Sequence, residues 1–170
     1  FYVRGGGPDQ NLILLDGVPV YNASHLGGIF SVFNADAIKS VRLTKGGFPA
    51  RFGGRLSSVL QIDMKEGNQK ELKGDATLGL ISSKFTLEGP IIKDKTSFII
   101  SARRTYLDLI VAPFLPRSSE NTTDLILYFY DLNAKVNHKV SKKDRIYLSA
   151  YTGRDKLGID FTENTDRYQS

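Results

Sequence analysis

From Leu72 onward apolar and polar residues take turns over long stretches of the chain; before it they do so only in short runs. Ala76, Leu78 and Leu80 alternate with Asp75, Thr77 and Gly79. The phase then slips, because Ile81 breaks the pattern and Phe85 and Leu87 continue it in the other parity. Strict alternation marks a strand with two unlike faces. A tight turn at Ser82-Ser83 between two short strands accounts for the slip, and a bulge is the alternative. After a polar turn at Lys93-Asp94-Lys95, Phe98, Ile100 and Ala102 alternate with Ser97, Ile99, Ser101 and Arg103. A long segment from Tyr106 to about Asp124 holds Pro113, Pro116 and the polar run Ser118–Thr123. The cleanest alternation follows: Tyr128, Tyr130, Leu132, Ala134 and Val136 oppose Phe129, Asp131, Asn133, Lys135, Asn137 and Lys139. Ser141–Asp144 reads as a tight turn, and Arg145–Asp155 as a further strand.

The first third has a different texture. Asn11–Leu15 is an unbroken apolar run, the mark of a strand covered on both faces. Asp16-Gly17 ends it as a turn, and Val18-Pro19-Val20 resumes extended structure. Tyr21–Phe33 shows no period. Asn34 is placed to cap a short helix over Ala35–Lys39, its side chain accepting from a free amide. A half-buried strand over Ser40–Thr44 follows, with Val41 and Leu43 on one face. Val59–Met64 alternates again. Between these two strands lies Lys45–Leu56, whose pairs Gly46-Gly47 and Gly53-Gly54 flank Pro49 in a shaped loop carrying Phe48, Arg51, Phe52 and Arg55. The runs 11–15, 40–44 and 59–64 are the apolar material of this region, and they are expected to pair in one small sheet. The pattern therefore divides the chain into an α+β unit at 1–67 and about five antiparallel strands at 68–170.

Composition removes several kinds of chemistry. The chain of 170 residues has no cysteine, so disulfides and thiolate metal sites are excluded. His25 and His138 are far apart and make no HxxxH pair. The net charge of +5 is spread along the chain, with seven basic and five acidic residues in 1–67 and the remainder in 68–170. A nucleic-acid binder concentrates its excess on one element. GGFPARFGGR lacks the lysine and serine/threonine of a P-loop. Asp16, His25 and a serine could be assembled on paper into a triad, but no GxSxG elbow supports one, so no catalytic role and no cofactor is assigned. No apolar run approaches the roughly eighteen residues a membrane helix needs, which leaves a membrane-spanning β-barrel open. The chain begins at Phe1 and reads as a piece of a longer polypeptide.

Taken in order, RGGGPDQNLILLDGVPVY, NADAIKSVRLTKGG and FPARFGGRLSSVLQI resemble the plug domain of TonB-dependent outer-membrane receptors. Those plugs carry an Arg-Gly near the start and a buried strand ending in Asp-Gly-Val. An Ile-x-x-Val/Ile strand then runs into Lys/Arg-Gly, followed by Tyr/Phe-Gly and a final Val-x-x-Ile strand. The resemblance covers residues 1–64. It implies an α+β plug followed by antiparallel strands of a transmembrane β-barrel. Strand runs of about ten residues suit a tilted crossing of a bilayer. Tight turns at 89–95 and 141–144 against a long loop at 106–126 suit the short periplasmic turns and long outer loops of such barrels.

The function implied is import of a scarce nutrient across the outer membrane of a Gram-negative cell, using energy relayed by TonB. The nutrient could be a ferric chelate, cobalamin, glycan or peptide, and a surface lipoprotein could assist. By resemblance, the loops Tyr21–Gly28 and Phe48–Arg55 face the substrate, with Tyr21, Asn22, His25, Arg51 and Phe52 as contact residues. Arg4, Lys45 and Arg55 resemble basic plug residues that meet the barrel, their acidic partners lying beyond residue 170. Two alternatives remain at this stage. One is a soluble α+β domain binding an anionic ligand, and the other a barrel that anchors or adheres without transporting.

Overall fold

The computed structural model describes residues 2–21, 23–28, 30–114 and 121–163. In the first third, β1 (Asn11–Leu15), β2 (Val18–Pro19), β5 (Ile38–Lys45) and β6 (Ser58–Met64) make one sheet in the order β2-β1-β6-β5. The three expected runs do pair. β1 lies parallel to β6, with Asn11 opposite Ser58 and Leu15 opposite Ile62, and β5 lies antiparallel to β6. The β1–β2 turn places Asp16 and Gly17 at φ 48° and 85°, the left-handed region that glycine enters freely and aspartate tolerates. β3 (Ser24–His25) and β4 (Phe30–Ser31) form a small ribbon beside the sheet.

The expected helix at Ala35–Lys39 is a single 3-10 turn, Ala35–Ala37, capped as foreseen by Asn34, whose side chain accepts from the Asp36 amide. It stops there because β5 begins at Ile38, two residues earlier than the strand read from the sequence. Leu15, Ala37, Ile62 and Met64 make the buried centre, joined by Ile13, Phe33, Ile38 and Leu60. β5 departs from expectation in burial. It is the sheet edge, and Val41 is 57% exposed rather than half-covered, because no described element packs on that face.

The other two thirds form one antiparallel sheet, ordered as in the sequence: β7 (Lys73–Leu78), β8 (Ser82–Ile92), β9 (Thr96–Thr105), β10 (Asn121–Lys139) and β11 (Arg145–Glu163). The phase slip after Leu80 is a hairpin turn, centred on Gly79–Ile81 rather than Ser82-Ser83, with Leu78 opposite Ser83. Gly89-Pro90 lies inside β8, at a register irregularity between Pro90 and Ile92, so the next turn is confined to Lys93–Lys95. The long connection opens with α1 (Leu107–Val111) and a 3-10 turn at Ala112–Phe114. β10 and β11 each run 19 residues, well past the boundaries read from alternation.

This sheet is inverted relative to a water-soluble one. Its polar face is the buried one: Asp131 and Asn133 are 2% and 3% exposed, and Ser97, Ser101, Lys135 and Asn137 lie beside them against the small sheet. The apolar face is open, with Leu132 at 41% and Val136 at 39% exposed. Tyr151, pointing inward from β11, completes the small sheet's core. β7 and β11 each have one paired neighbour, so the large sheet has two open edges and is not a closed barrel. Unpaired strand edges of this length template association with other chains. Isolated residues 1–170 should therefore self-associate or aggregate in sedimentation velocity, and a stable monomer at high concentration would contradict the open-edged sheet.

Candidate functional site

The inward face of β10 works as a ladder along which the small domain is fastened. Its side chains recur every second residue on one face, about 6.5–7 Å apart, and successive polar rungs meet successive parts of the first third.

The upper rungs are Phe129 and Asp131. His25, on β3, stacks on Phe129 with ring centroids 4.3 Å apart and planes within 12°. Arg103, inward on β9, lies over the same ring at 4.9 Å. The His25 Nε2 faces Asp131 Oδ1, and its Nδ1 faces Asp155 Oδ1 on β11. The ring thus bridges a carboxyl group on β10 and another on β11. Asp131 also accepts from Arg103 through Nε at 2.8 Å and through Nη2, and from the Tyr151 hydroxyl at 3.1 Å. The Leu26 amide donates to Asp155 at 3.1 Å, and Arg103 Nη2 donates to the Ser31 carbonyl at 2.6 Å. So the Tyr21–Gly28 loop is held through His25 and Leu26, and Leu26 reaches its place by adopting φ 51°.

The middle rung is Lys135. Its ammonium donates to Asp16 Oδ1 at 2.8 Å and to the Met64 carbonyl at 3.3 Å, and sits 4.5 Å from the centre of the Tyr147 ring. Asp16 Oδ1 also accepts from the Met64 amide, and the Tyr147 hydroxyl donates to the Asp16 carbonyl. Both charges are almost fully buried. Asp16 Oδ2 and Asn133 Nδ2 lie buried nearby on this interface without a hydrogen-bond partner among the described residues.

The lower rungs are Asn137 and Lys139, which meet the connector between the sheets. Glu66 accepts from Lys39 at 2.8 Å, Arg145 at 2.7 Å and Asn137 at 3.3 Å, while its own carbonyl accepts from Ser97 Oγ. Lys139 donates to Gln69 Oε1, and the Asp94 amide donates to the Gln69 carbonyl. Gly67 has φ 81°, and a Cβ there would collide with the Phe98 backbone. The hydrogen bond from Lys39, aided by the charges of Lys39, Arg145 and Lys135, outweighs burial and holds the Glu66 carboxyl below its ordinary 4.5. A further contact at the side joins Asn34 Nδ2 to Ser101 Oγ at 2.6 Å, beside a Lys84–Asp36 ion pair at 2.8 Å.

Of the residues read from the sequence, Tyr21 is exposed and lines a cavity of about 490 Å³ with Asp9, Ile13, Phe30 and Phe33. Asn22 lies outside the described residues. His25 is buried at the upper rung and not open to solvent. Arg51 is exposed with its guanidinium 4.7 Å from the centre of the Phe52 ring, which is half-buried. Arg4 and Lys45 are exposed, and Arg55 donates to the Gly54 carbonyl. Among the described residues, the ion pairs between the first third and the large sheet join His25 to Asp131 and Asp155, Asp16 to Lys135 and Asp36 to Lys84; Arg103 pairs with Asp131 within the large sheet, and the connector is held to β11 through Glu66 and Arg145. The sequence signal for part of this set was the polar parity of β10, which the structure shows to be a docking face.

Residues 1–58 match the family model of the TonB-dependent receptor plug domain. Among solved structures, the siderophore receptor PirA from Acinetobacter baumannii aligns with a TM-score of 0.62 at 21% identity, over 91% of this chain and 25% of that one. The chain thus spans about a quarter of that structure's length. No curated protein matches.

Two outcomes follow from the rungs. Lys135→Met should destabilise the docked domain by about 3–5 kcal/mol in denaturant unfolding of the full-length protein, because it strands a buried carboxylate. Adding Asp16→Asn should restore part of that loss. The contribution of Glu66, whose folded pKa is lowered, is fully present above about 4.5 and lost as pH falls through the lower folded value. A spin label at position 70 should therefore stay immobile from pH 7 to 5 and loosen in stronger acid, and Glu66→Gln should loosen it at every pH.

Proposed function

We propose that this chain, a piece of a TonB-dependent receptor, is the plug and first wall strands of an outer-membrane transporter that binds a scarce nutrient and admits it with energy relayed by TonB. The observation that carries this reading is the inverted sheet: β10 buries Asp131, Asn133, Lys135 and Asn137 against the small domain and turns Tyr130, Leu132 and Val136 outward. A soluble α+β domain would hide the apolar parity and hydrate the polar one. Lipid outside and a polar plug inside reverse that preference.

The axial order of the site supports the substrate face. His25 and its loop meet the rungs nearest the long 106–120 connection. Glu66 meets those nearest the short turns at Lys93–Lys95 and Val140–Asp144. β6 runs from Ser58 toward Met64 and Glu66, so the glycine-rich loop at 46–57 lies at the opposite end of the small sheet from the connector. With short turns periplasmic and long loops outside, both loops face outward. Tyr21, Asn22, Arg51 and Phe52 would meet substrate there. His25 would act behind them, coupling loop position to the wall. Arg4, Lys45 and Arg55 would contact wall strands beyond residue 170. The likeness to PirA, a siderophore receptor, favours a ferric chelate over cobalamin, glycan or peptide.

The plug family is a receptor family and not an enzyme family. Uptake of radiolabelled ferric chelates by cells carrying the full-length protein should require TonB. Equal uptake without TonB would favour a passive barrel, and no uptake of any nutrient class would favour an anchor. Ala134→Asp, on the outward face, should impair membrane insertion more than Asn133→Asp. Charge at the bilayer midplane of a barrel costs about 2–4 kcal/mol for Lys or Arg and less for Asp. Equal insertion of the two variants, measured in isolated outer membranes, would sink the lipid-facing assignment.

A further inference from the structure

The outward face carries a feature that docking does not use. In the register of the large sheet, Arg104 lies opposite Tyr130, and Tyr130 lies opposite Arg154. One pair farther toward the long loop, Tyr128 lies opposite Lys156. Residues directly opposite in an antiparallel pair share a face, so these five side chains share the parity of Leu132, Ala134 and Val136. Arg104, Arg154 and Lys156 are all exposed. The Arg104 guanidinium lies 5.3 Å from the centre of the Tyr128 ring, a cation–π contact that fixes its direction. No carboxylate shares these two rows among the residues whose side chains are described.

The rows below are apolar. Ala102, Leu132 and Thr152 come first, then Ile100, Ala134 and Ala150, then Phe98, Val136 and Leu148, before Thr96, His138 and Ile146. From the arginine row to the His138 row is about the 9–11 residues that a tilted strand needs to cross a bilayer. The cations therefore stand where hydrocarbon gives way to headgroups, on the side of the long loop, with tyrosines of the kind that favour that boundary.

We propose that Arg104, Arg154 and Lys156, ordered by Tyr128 and Tyr130, form a binding site on the outer wall for the phosphate of a membrane lipid headgroup in the outer leaflet. This rests on the outward face meeting lipid, as read above, and is independent of transport. Arginine suits the role because its planar fork holds phosphate in two places and tolerates partial desolvation. Continuity with the apolar rows selects a lipid-borne phosphate over a free one, since acyl chains would lie on Leu132, Ile100 and Leu148 directly below the cations. An isolated arginine in such a place could snorkel to water. Three cations on the two strands that flank β10, with no carboxylate in their rows among the described side chains, make a concentrated anion site.

The test uses the full-length protein purified in a neutral detergent. It is titrated with a bis-phosphorylated, multiply acylated glucosamine disaccharide, with the same lipid after dephosphorylation, and with inorganic phosphate. The phosphorylated lipid should bind at least about tenfold more tightly than the dephosphorylated one. Inorganic phosphate should compete poorly, and R104Q/R154Q/K156Q should abolish the difference. R104K/R154K should keep most of it, and K142Q/K143Q, in the turn at the other end, should leave it intact. Equal binding of the two lipids by the wild-type protein overturns the proposal without any variant. Competition by inorganic phosphate at the lipid's own affinity overturns the headgroup assignment. Chelate uptake by the triple variant separates the two readings: retained uptake with lost lipid preference supports the wall site, and loss of TonB-dependent uptake in the wild type counts against transport alone.

Discussion

Burial of the polar face of β10 is the constraint on which the remaining structure depends. Asp131, Asn133, Lys135 and Asn137 could not be covered by an apolar surface without a cost of several kcal/mol for each charge. Their partners lie at fixed heights: His25 for Asp131, Asp16 and the Met64 carbonyl for Lys135, and Glu66 for Asn137. The small domain is shaped to deliver them. Asp16 accepts a left-handed backbone so that its carboxylate meets Lys135, and Leu26 does the same beside Asp155. An interface of this kind adds little net stability, because desolvation offsets most of the Coulombic gain, yet it penalises any misplaced partner. Register between the two sheets is therefore set by charge and hydrogen bonding, with Tyr151 adding an apolar contact.

The same constraint explains why the large sheet looks inside-out. Once the polar parity is taken by the small domain, the apolar parity is left facing away, and only an apolar surrounding can favour it. The chain covers about a quarter of the related receptor structure. On the proposed reading, its open β7 and β11 edges, and the uncovered face of β5, are the places where further wall would join. β10 and β11, at 19 residues each, outrun a bilayer crossing, and their paired ends at 121–129 and 155–163 extend past the proposed boundary at Arg104 and Arg154.

Much of this was legible because it rests on local rules. Period-2 alternation located β9, β10 and β11, the family resemblance favoured the hairpin turn that separates β7 from β8 over a bulge, and the apolar runs located the three strands that make the small sheet. Asn34 and the Asp16-Gly17 turn declared themselves through side-chain chemistry and backbone freedom. The misplacements have local causes too. The 3-10 turn at Ala35–Ala37 was cut short by strand pairing that begins at Ile38, and pairing carried β8 through Gly89-Pro90. The docking site was less legible, since a sequence shows that Asp131 and Lys135 share a face but not what covers it. His25 stood out as a loop residue aimed at substrate. Its partners, Asp131 and Asp155, are 106 and 130 residues away in sequence. No spacing rule connects such distances.

The rungs are not equivalent, and their differences bear on how the small domain could move. At the upper rung, side chains hold a loop, and among the described contacts the backbone enters through the Leu26 amide and the Ser31 carbonyl. Water can replace those partners one at a time. The buried Lys135–Asp16 rung is harder to open, but it already holds a carboxylate oxygen without a hydrogen-bond partner among the described residues, a point where water would gain a hydrogen bond on arrival. The connector is different again. There the backbone takes part through Glu66 and Gln69, and Gly67 lies against the Phe98 backbone where no side chain fits. Local opening proceeds from the least backbone-committed contacts to the most. A displacement applied to the small domain would thus free the loop around His25 first, hydrate the Asp16 rung next, and leave residues 66–69 fastened to the wall, so that the domain shifts while remaining tethered.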